Sequence, residues 1–261
     1  MSWVITPSFT QWTPSLISTA LWLDAADSST ITLTSGAVSE WRDKSGNARH
    51  FSQSTAGSRP TVAAASQNGR DALLCNGTSH HLNGPNSPEP YLIAAVAKTA
   101  TTSTYRTVYG AQTTSPLPLS AVYLQTGDPA RTLSFVRGVI GDNTSTSFYS
   151  TAGVVTSGQF FIATGYHNIT SITARRNGTP GSTNSNSASL KALSTSIVGA
   201  GYYNQLKVDY WPGEIGELII LSTLGVGLLE AEKIEGYLAH KWGLTANLPA
   251  NHPYKVNPPA P

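Results

Sequence analysis

Charge is scarce in this chain. Asp, Glu, Lys and Arg make up 11% of its 261 residues, against roughly 25% in an average soluble protein. Ser, Thr, Asn and Gly fill the gap, so the surface is solvated by hydroxyls and amides. A chain this poor in charge is not held open by self-repulsion. Cysteine is scarcer still. Cys75 stands alone, so no internal disulfide can form and stability must come from packing. It ends the apolar run Ala72-Leu73-Leu74-Cys75, which predicts a buried, inert thiol rather than a nucleophile. No stretch approaches the roughly 20 consecutive apolar residues of a membrane-spanning helix, so membrane insertion is not expected. Residues 1–18 show neither the basic start nor the apolar core of an export signal. The expectation is a soluble chain made in a cytoplasm. An outward-facing composition without an export signal fits a phage particle released by lysis. The net charge is +2, and the sole adjacent basic pair, Arg175-Arg176, precedes an Asn177-Gly178 turn. Without a basic stripe, nucleic acid is not expected as a partner.

What the chain does contain reads as β-structure. Residues 21–23, 107–109, 121–125, 132–136, 160–166, 172–176 and 215–221 carry short apolar or β-branched runs, separated by loops rich in Ser, Thr, Asn, Gly and Pro. Residues 91–97 are continuously apolar, which predicts a strand buried on both faces. Many strands without alternating helices indicate an all-β, antiparallel sandwich or jelly roll. One helix is predicted, over residues 228–241. Ile234, Tyr237 and Leu238 recur at helical spacing, the acids come early and His240 and Lys241 late, and Gly243 is placed to stop it. Residues 1–19 form an aromatic arm, with Trp3, Phe9 and Trp12 as candidate assembly contacts. Residues 20–255 form the β-rich domain. The chain from Asn247 is expected to be extended, and residues 256–261 are a Pro-rich tail.

Two sets of residues bracket this domain. The first is Leu21-Trp22-Leu23-Asp24-Ala25-Ala26-Asp27 with Val38-Ser39-Glu40-Trp41-Arg42-Asp43-Lys44-Ser45-Gly46-Asn47. The second is Gly213-Glu214-Ile215-Gly216-Glu217-Leu218-Ile219-Ile220-Leu221, the helix through Trp242, and Leu248-Pro249-Ala250-Asn251-His252-Pro253-Tyr254. Together they resemble the concanavalin A-like, laminin-G-like jelly-roll superfamily, and more closely a subset found in phage structural proteins and bacterial surface proteins. The resemblance implies a lectin-like antiparallel β-sandwich with one C-terminal α-helix, and core positions for Trp22, Trp41 and Trp242. One departure is Cys75-Asn76-Gly77, where relatives often carry Phe-Asp-Gly.

Some relatives hydrolyse glycans with a Glu-x-Asp-x-x-Glu strand, because hydrolysis needs two carboxyls about 5–9 Å apart. The nearest pattern here is Glu214-Ile215-Gly216-Glu217. Its spacing of three puts the two carboxylates on opposite faces of a regular strand, so no catalytic residue and no enzyme activity are expected. His80-His81 is the only histidine pair, and strand neighbours point apart, so no zinc site is expected. Asp24, Asp27, Asp43 and Asn47 offer oxygens for calcium, but residues 43–47 read equally well as an Asx-turn, with Lys44 competing for the charge. No cofactor or metal is assigned. The candidate ligand-binding residues are Tyr202, Tyr203, Tyr210 and Trp211, since sugars are bound by apolar ring faces with a few placed polar groups.

The resulting expectation is a non-catalytic phage virion protein on the particle surface, displaying a lectin-like jelly roll for attachment to host-surface glycans. Its partners would be other virion proteins and its own subunits, as a homo-oligomer with a trimer favoured. Two alternatives stand beside it: a purely structural decoration or head-fibre protein, and an extracellular bacterial carbohydrate-binding adhesin module.

Overall fold

Strand Leu92–Thr99 reads LIAAVAKT, and its first six residues are all buried. A strand that is apolar on both faces needs cover on both sides, and the computed structural model supplies it. The structure describes residues 11–100, 104–114, 119–127, 132–140, 146–168, 170–185, 190, 192–203, 205–223 and 225–261. Leu92–Thr99 lies inside an eight-stranded sheet. Across that sheet the order is Thr179–Ser185, Ser171–Arg176, Phe160–Asn168, Leu92–Thr99, Pro212–Leu221, Arg70–Asn76 and Thr61–Gln67, with Leu21–Asp24 paired to Pro212–Leu221 off this path. One face packs against a second, nine-stranded sheet, ordered Thr146–Val154, Thr132–Ile140, Leu119–Gly127, Arg106–Gln112, Thr195–Val198, Leu82–Gly84, Phe51–Ser52, Ala37–Trp41 and Ile31–Thr34. The other face carries the helix Leu228–Trp242, the one α-helix among the described residues. The strand pairs are antiparallel. The architecture is an antiparallel β-sandwich of the jelly-roll class with a single C-terminal helix.

The alternation of side chains divides the core in two. Leu23, Trp41, Phe51, Ile93, Ala95, Phe135, Ile215 and Leu218 fill the space between the sheets. Trp22, Leu92, Ala94, Val96, Ile219, Ile234, Leu238 and Trp242 fill the space between sheet and helix. Trp22, Trp41 and Trp242 are all buried. The helix begins where the Glu230 carboxylate accepts the Gly227 N–H at 2.9 Å. It stops at Gly243, whose left-handed φ of 68° returns its N–H to the Ala239 carbonyl.

Two expectations about the chain ends need correction. Trp12 is 1% exposed. Its ring meets Tyr237 edge-on at 5.8 Å, with the Lys233 ammonium 5.3 Å from its own centroid. It is therefore a cover for the chain's own helix, because that helix face would otherwise leave apolar surface in water. Trp3 and Phe9 lie outside the described residues. The segment after Asn247 is not extended. Lys255 Nζ donates to the carbonyls of Thr245, Ala246 and Leu248, and His252 is buried beside Glu235 of the helix, so the segment folds back on the helix.

At one side the edge strands Thr146–Val154 and Thr179–Ser185 cross closely. Ser150 Oγ donates to the Ser182 carbonyl, and the Thr151 N–H donates to Ser182 Oγ at 3.2 Å. A Cβ on Gly181 would collide with the Thr151 carbonyl oxygen, so glycine is required for that approach.

Candidate functional site

The carboxylates of Pro212–Leu221 decide whether the strand can do chemistry. Glu214 pairs with Lys98 and Ile215 with Ala97, but Val96 faces Glu217, not Gly216. Gly216 is thus an extra residue, a β-bulge that resets the alternation. Ile215 and Leu218 both point between the sheets, so Glu214 and Glu217 share the helix-side face. This overturns the expectation of opposite faces. The bulge exists because the Trp242 indole lies on Gly216, where a Cβ would sit 2.6 Å from the ring.

Sharing a face does not make the pair reactive. Glu217 is fully buried and surrounded by donors. Its Oε1 accepts Trp22 Nε1–H at 2.7 Å and Tyr237 Oη–H at 2.9 Å; its Oε2 accepts Trp242 Nε1–H at 2.8 Å and pairs with Lys241 Nζ at 2.7 Å. Burial pushes the Glu217 carboxyl up, and Lys241 pulls against it. Glu214 pairs with Lys98 and accepts the Ser66 hydroxyl. Lys241 also pairs with Asp24 at 2.7 Å, and Lys44 joins Asp24 at 2.9 Å to Asp27 at 2.7 Å. Lys44 lies 4.4 Å from the Trp22 ring. Glu217, Lys241, Asp24, Lys44 and Asp27 of the two end motifs therefore form one chain of ion pairs, buried at Glu217 and Asp24 and reaching solvent at Lys44 and Asp27.

The oxygens weighed for calcium are engaged in the same way. Asp43 accepts the backbone N–H groups of Trp22, Ser45 and Arg49 at 2.9–3.0 Å, an Asx-turn that holds the first strand. Lys44 and Ser29 hold the Asp27 carboxyl down at about 2. Asn47 donates its amide to the Thr19 carbonyl. Asn76 uses its oxygen to accept the N–H groups of Thr78, Ser79 and His80. Among the described residues no three His, Cys, Asp or Glu side chains are grouped to hold a metal ion. Cys75 is buried, which pushes its thiol up to about 12.

The four aromatic candidates separate. Gly201–Tyr203 and Leu206–Val208 form a two-stranded hairpin apart from both sheets. It is anchored where Tyr123 Oη donates to the Tyr202 carbonyl at 2.9 Å. Tyr203 faces Leu206 across the hairpin, and these two are 66% and 67% exposed. Tyr202 faces Lys207 on the other side. Its half-buried hydroxyl lies 3.1 Å from Thr195 Oγ1, and burial raises its pKa. Tyr210 tilts against His81 at 5.8 Å. Trp211 does not belong with them. It is fully buried between the sheets, and its indole N–H is directed at the carbonyls of Lys98 and Glu214. The chain turns inward after Asp209, which sits at a φ of 53°, and this carries Trp211 into the core.

Residues distant in sequence complete the hairpin surface. His81 Nε2 is approached by Gln53 Nε2 at 2.9 Å and Lys207 Nζ at 3.0 Å. Both are donors, so Nε2 accepts and Nδ1 carries the proton toward the Ser79 carbonyl at 2.8 Å. Burial lowers the His81 pKa, which agrees with a neutral ring. Asp209 is raised by burial, with Arg106 pulling the other way. No sequence signal joins His81 to Lys207, which lie 126 residues apart.

No protein-family model matches this chain, and no curated protein matches it in sequence. Solved structures are similar to it in fold. Domain 4 of AbnA, a GH43 extracellular arabinanase from Geobacillus stearothermophilus in complex with arabinotriose, matches with a TM-score of 0.56 and 14% identity, over 77% of this chain and 91% of that one. The Botulinum neurotoxin serotype D binding domain matches at 0.56 and 11% identity, over 84% and 50%. Trypanosoma rangeli sialidase, in its covalent intermediate complex with 2,3-difluorosialic acid, matches at 0.58 and 11% identity, over 91% of this chain and 36% of the sialidase. The likeness establishes the shared β-sandwich. This chain spans half of the toxin domain and about a third of the sialidase.

Proposed function

We propose that this chain is a non-catalytic, lectin-like jelly roll that binds glycans through its Gly201–Val208 hairpin, and that it is carried on the surface of a phage particle for attachment to a host. The observation that carries the binding reading is the outward Tyr203–Leu206 pair beside half-buried Tyr202 and Tyr210. It offers an exposed apolar ring face, with the exposed Lys207 ammonium and the half-buried Tyr202 hydroxyl on the hairpin's other side, and a ring face with polar groups within reach is the anatomy of a sugar-binding surface. The shared fold with an arabinanase domain that holds arabinotriose supports the same reading. The enclosure of Glu217 by four donors supports the absence of hydrolysis, since a general acid must reach the bond it protonates. The virion assignment rests on the resemblance of the two end motifs to phage structural proteins.

The test is a glycan array probed with the intact chain, repeated with Tyr203→Ala. The reading expects binding to a restricted set of glycans, no reducing ends released from them, and loss of the signal in the variant at unchanged melting temperature. Mass spectrometry of purified phage particles should find the chain in the virion. An array without signal, together with a Tyr203→Ala chain that sediments as a smaller species, would move the hairpin to a subunit contact and favour the structural decoration reading.

A further inference from the structure

Arg175 and Arg176 are neighbours on strand Ser171–Arg176 and point to opposite faces. Arg175 forms a fork with Glu235, Nε to Oε1 at 2.9 Å and Nη2 to Oε2 at 3.0 Å, and donates to the Gly178 carbonyl. Arg176 has no such partner. Every other described arginine donates to a carboxylate or a carbonyl. Among the described residues Arg176 is the one arginine whose guanidinium makes no hydrogen bond or ion pair within the protein. Its Nε is shut off from solvent and unpaired. It is also held in place. Gly153 sits at a φ of 46°, and a Cβ there would lie 2.7 Å from Arg176 Nε, so the chain makes room for the guanidinium. A buried donor left unsatisfied is destabilising, and the side chain stays nonetheless.

Arg176 lines a cleft of about 240 Å³, together with Thr156, Gln159, Asn177, Thr179 and Asn247. Asn177 is 8% exposed, and its Oδ1 accepts the Ile162 N–H at 2.7 Å. That bond fixes the amide so that its Nδ2–H₂ is the end left without a protein partner. Phe160, stacked on Trp242 at 6.4 Å, gives the cleft a rigid apolar wall. No carboxylate lines it.

We infer that this cleft binds the carboxylate of an acidic sugar, with Arg176 and the Asn177 amide as donors. The guanidinium is a planar fork matched to a carboxylate. One positive charge with no acid nearby suits a monoanion better than a phosphate dianion. The amides and hydroxyls of Gln159, Asn247, Thr156 and Thr179 both donate and accept, which is what the hydroxyls around a sugar carboxylate require. The cleft is smaller than the about 300–1,000 Å³ of drug-sized sites, so it takes a single ring. It shares no residue with the Gly201–Val208 hairpin, and it stands whichever way the test of that hairpin falls.

The experiment titrates the intact chain with D-glucuronate, D-glucose, acetate and inorganic phosphate, following the Arg176 Nε–H resonance by NMR. Glucuronate is expected to bind saturably, about tenfold or more tightly than each of the other three. Arg176→Met keeps an unbranched apolar stem and removes the fork, and should weaken glucuronate by about tenfold or more. Asn177→Asp keeps the acceptor for Ile162 and adds a negative charge, and should abolish binding; it serves as the second variant should Arg176→Met fail to fold. The inference is overturned if glucuronate does not saturate, if both variants bind it as the parent does, or if acetate or phosphate binds as tightly.

Discussion

Replacing Glu217 by Gln isolates the charge at the buried end of this chain of ion pairs, because the side chain keeps its shape. The carboxylate accepts from four donors, two on each oxygen. A glutamine has one acceptor oxygen. With that oxygen turned toward Trp22 and Tyr237, its amide N–H₂ faces the Trp242 indole N–H and the Lys241 ammonium. One buried indole N–H then goes unsatisfied, at about 1–3 kcal/mol, and a charge-assisted bond worth about 1.5–3 kcal/mol is lost. Lys241 retains Asp24, which limits the damage. The two add to about 2.5–6 kcal/mol, and with Asp24 still holding Lys241 the loss should lie at about 3–5 kcal/mol, the usual cost of breaking a buried ion pair from one side. At about 2–4 °C per kcal/mol for a chain near this size, melting should fall by about 6–20 °C. Urea unfolding followed by indole fluorescence gives the free energy directly. Glu214→Gln is the control. A glutamine there keeps an acceptor oxygen for the Ser66 hydroxyl, and its partner Lys98 reaches solvent, so it should cost clearly less than Glu217→Gln. Equal, small losses in the two variants would refute the argument that Glu217 holds the motifs together.

Two further outcomes concern Asp27 and Cys75. Asp27 should titrate at about 2 in the folded protein, against 3.8 for a free side chain, and Lys44→Met should return it toward that value, as read by carboxyl-carbon NMR. Because the folded value lies below the unfolded one, the stability it contributes is present above 3.8 and is lost as pH falls through about 2. The Cys75 thiol, buried and raised to about 12, should not react with a disulfide reagent at pH 8 and should react fully once the chain is denatured.

Local pattern made much of the fold legible. The 3.6-residue recurrence of Ile234, Tyr237 and Leu238 marked a helix within one residue of Leu228–Trp242, and Gly243 marked its end. The continuous run at 91–97 marked a strand covered on both faces. What pattern could not show depends on tertiary contact. The bulge at Gly216 exists because an indole from another element rests on it, and it reverses the face of Glu214 relative to the two-residue rule. Trp211 reads like its tyrosine neighbours until the turn at Asp209 carries it inward. Trp12 reads like a free anchor until a helix more than 200 positions later offers it Tyr237. Arg176 looks the same as Arg175 on paper. Only the location of Glu235, fully buried beside one and absent from the other, separates them.

The pairing of Leu21–Asp24 with Pro212–Leu221 also bears on how the chain is made. Trp22 and the carboxylate that receives its indole N–H are 195 residues apart. A topology closed by such distant partners folds slowly, since loop-closure entropy is spent before any contact repays it. On the ribosome, the first strand is finished while its partner strand, its ion-pair partner Lys241 and the helix that covers Trp22 do not yet exist. A nascent chain arrested short of Trp242 would carry an unpaired strand and a bare tryptophan, the exposed edge from which aggregation starts. The cover over Trp22 is therefore complete only after the helix, more than 200 residues later, has been made.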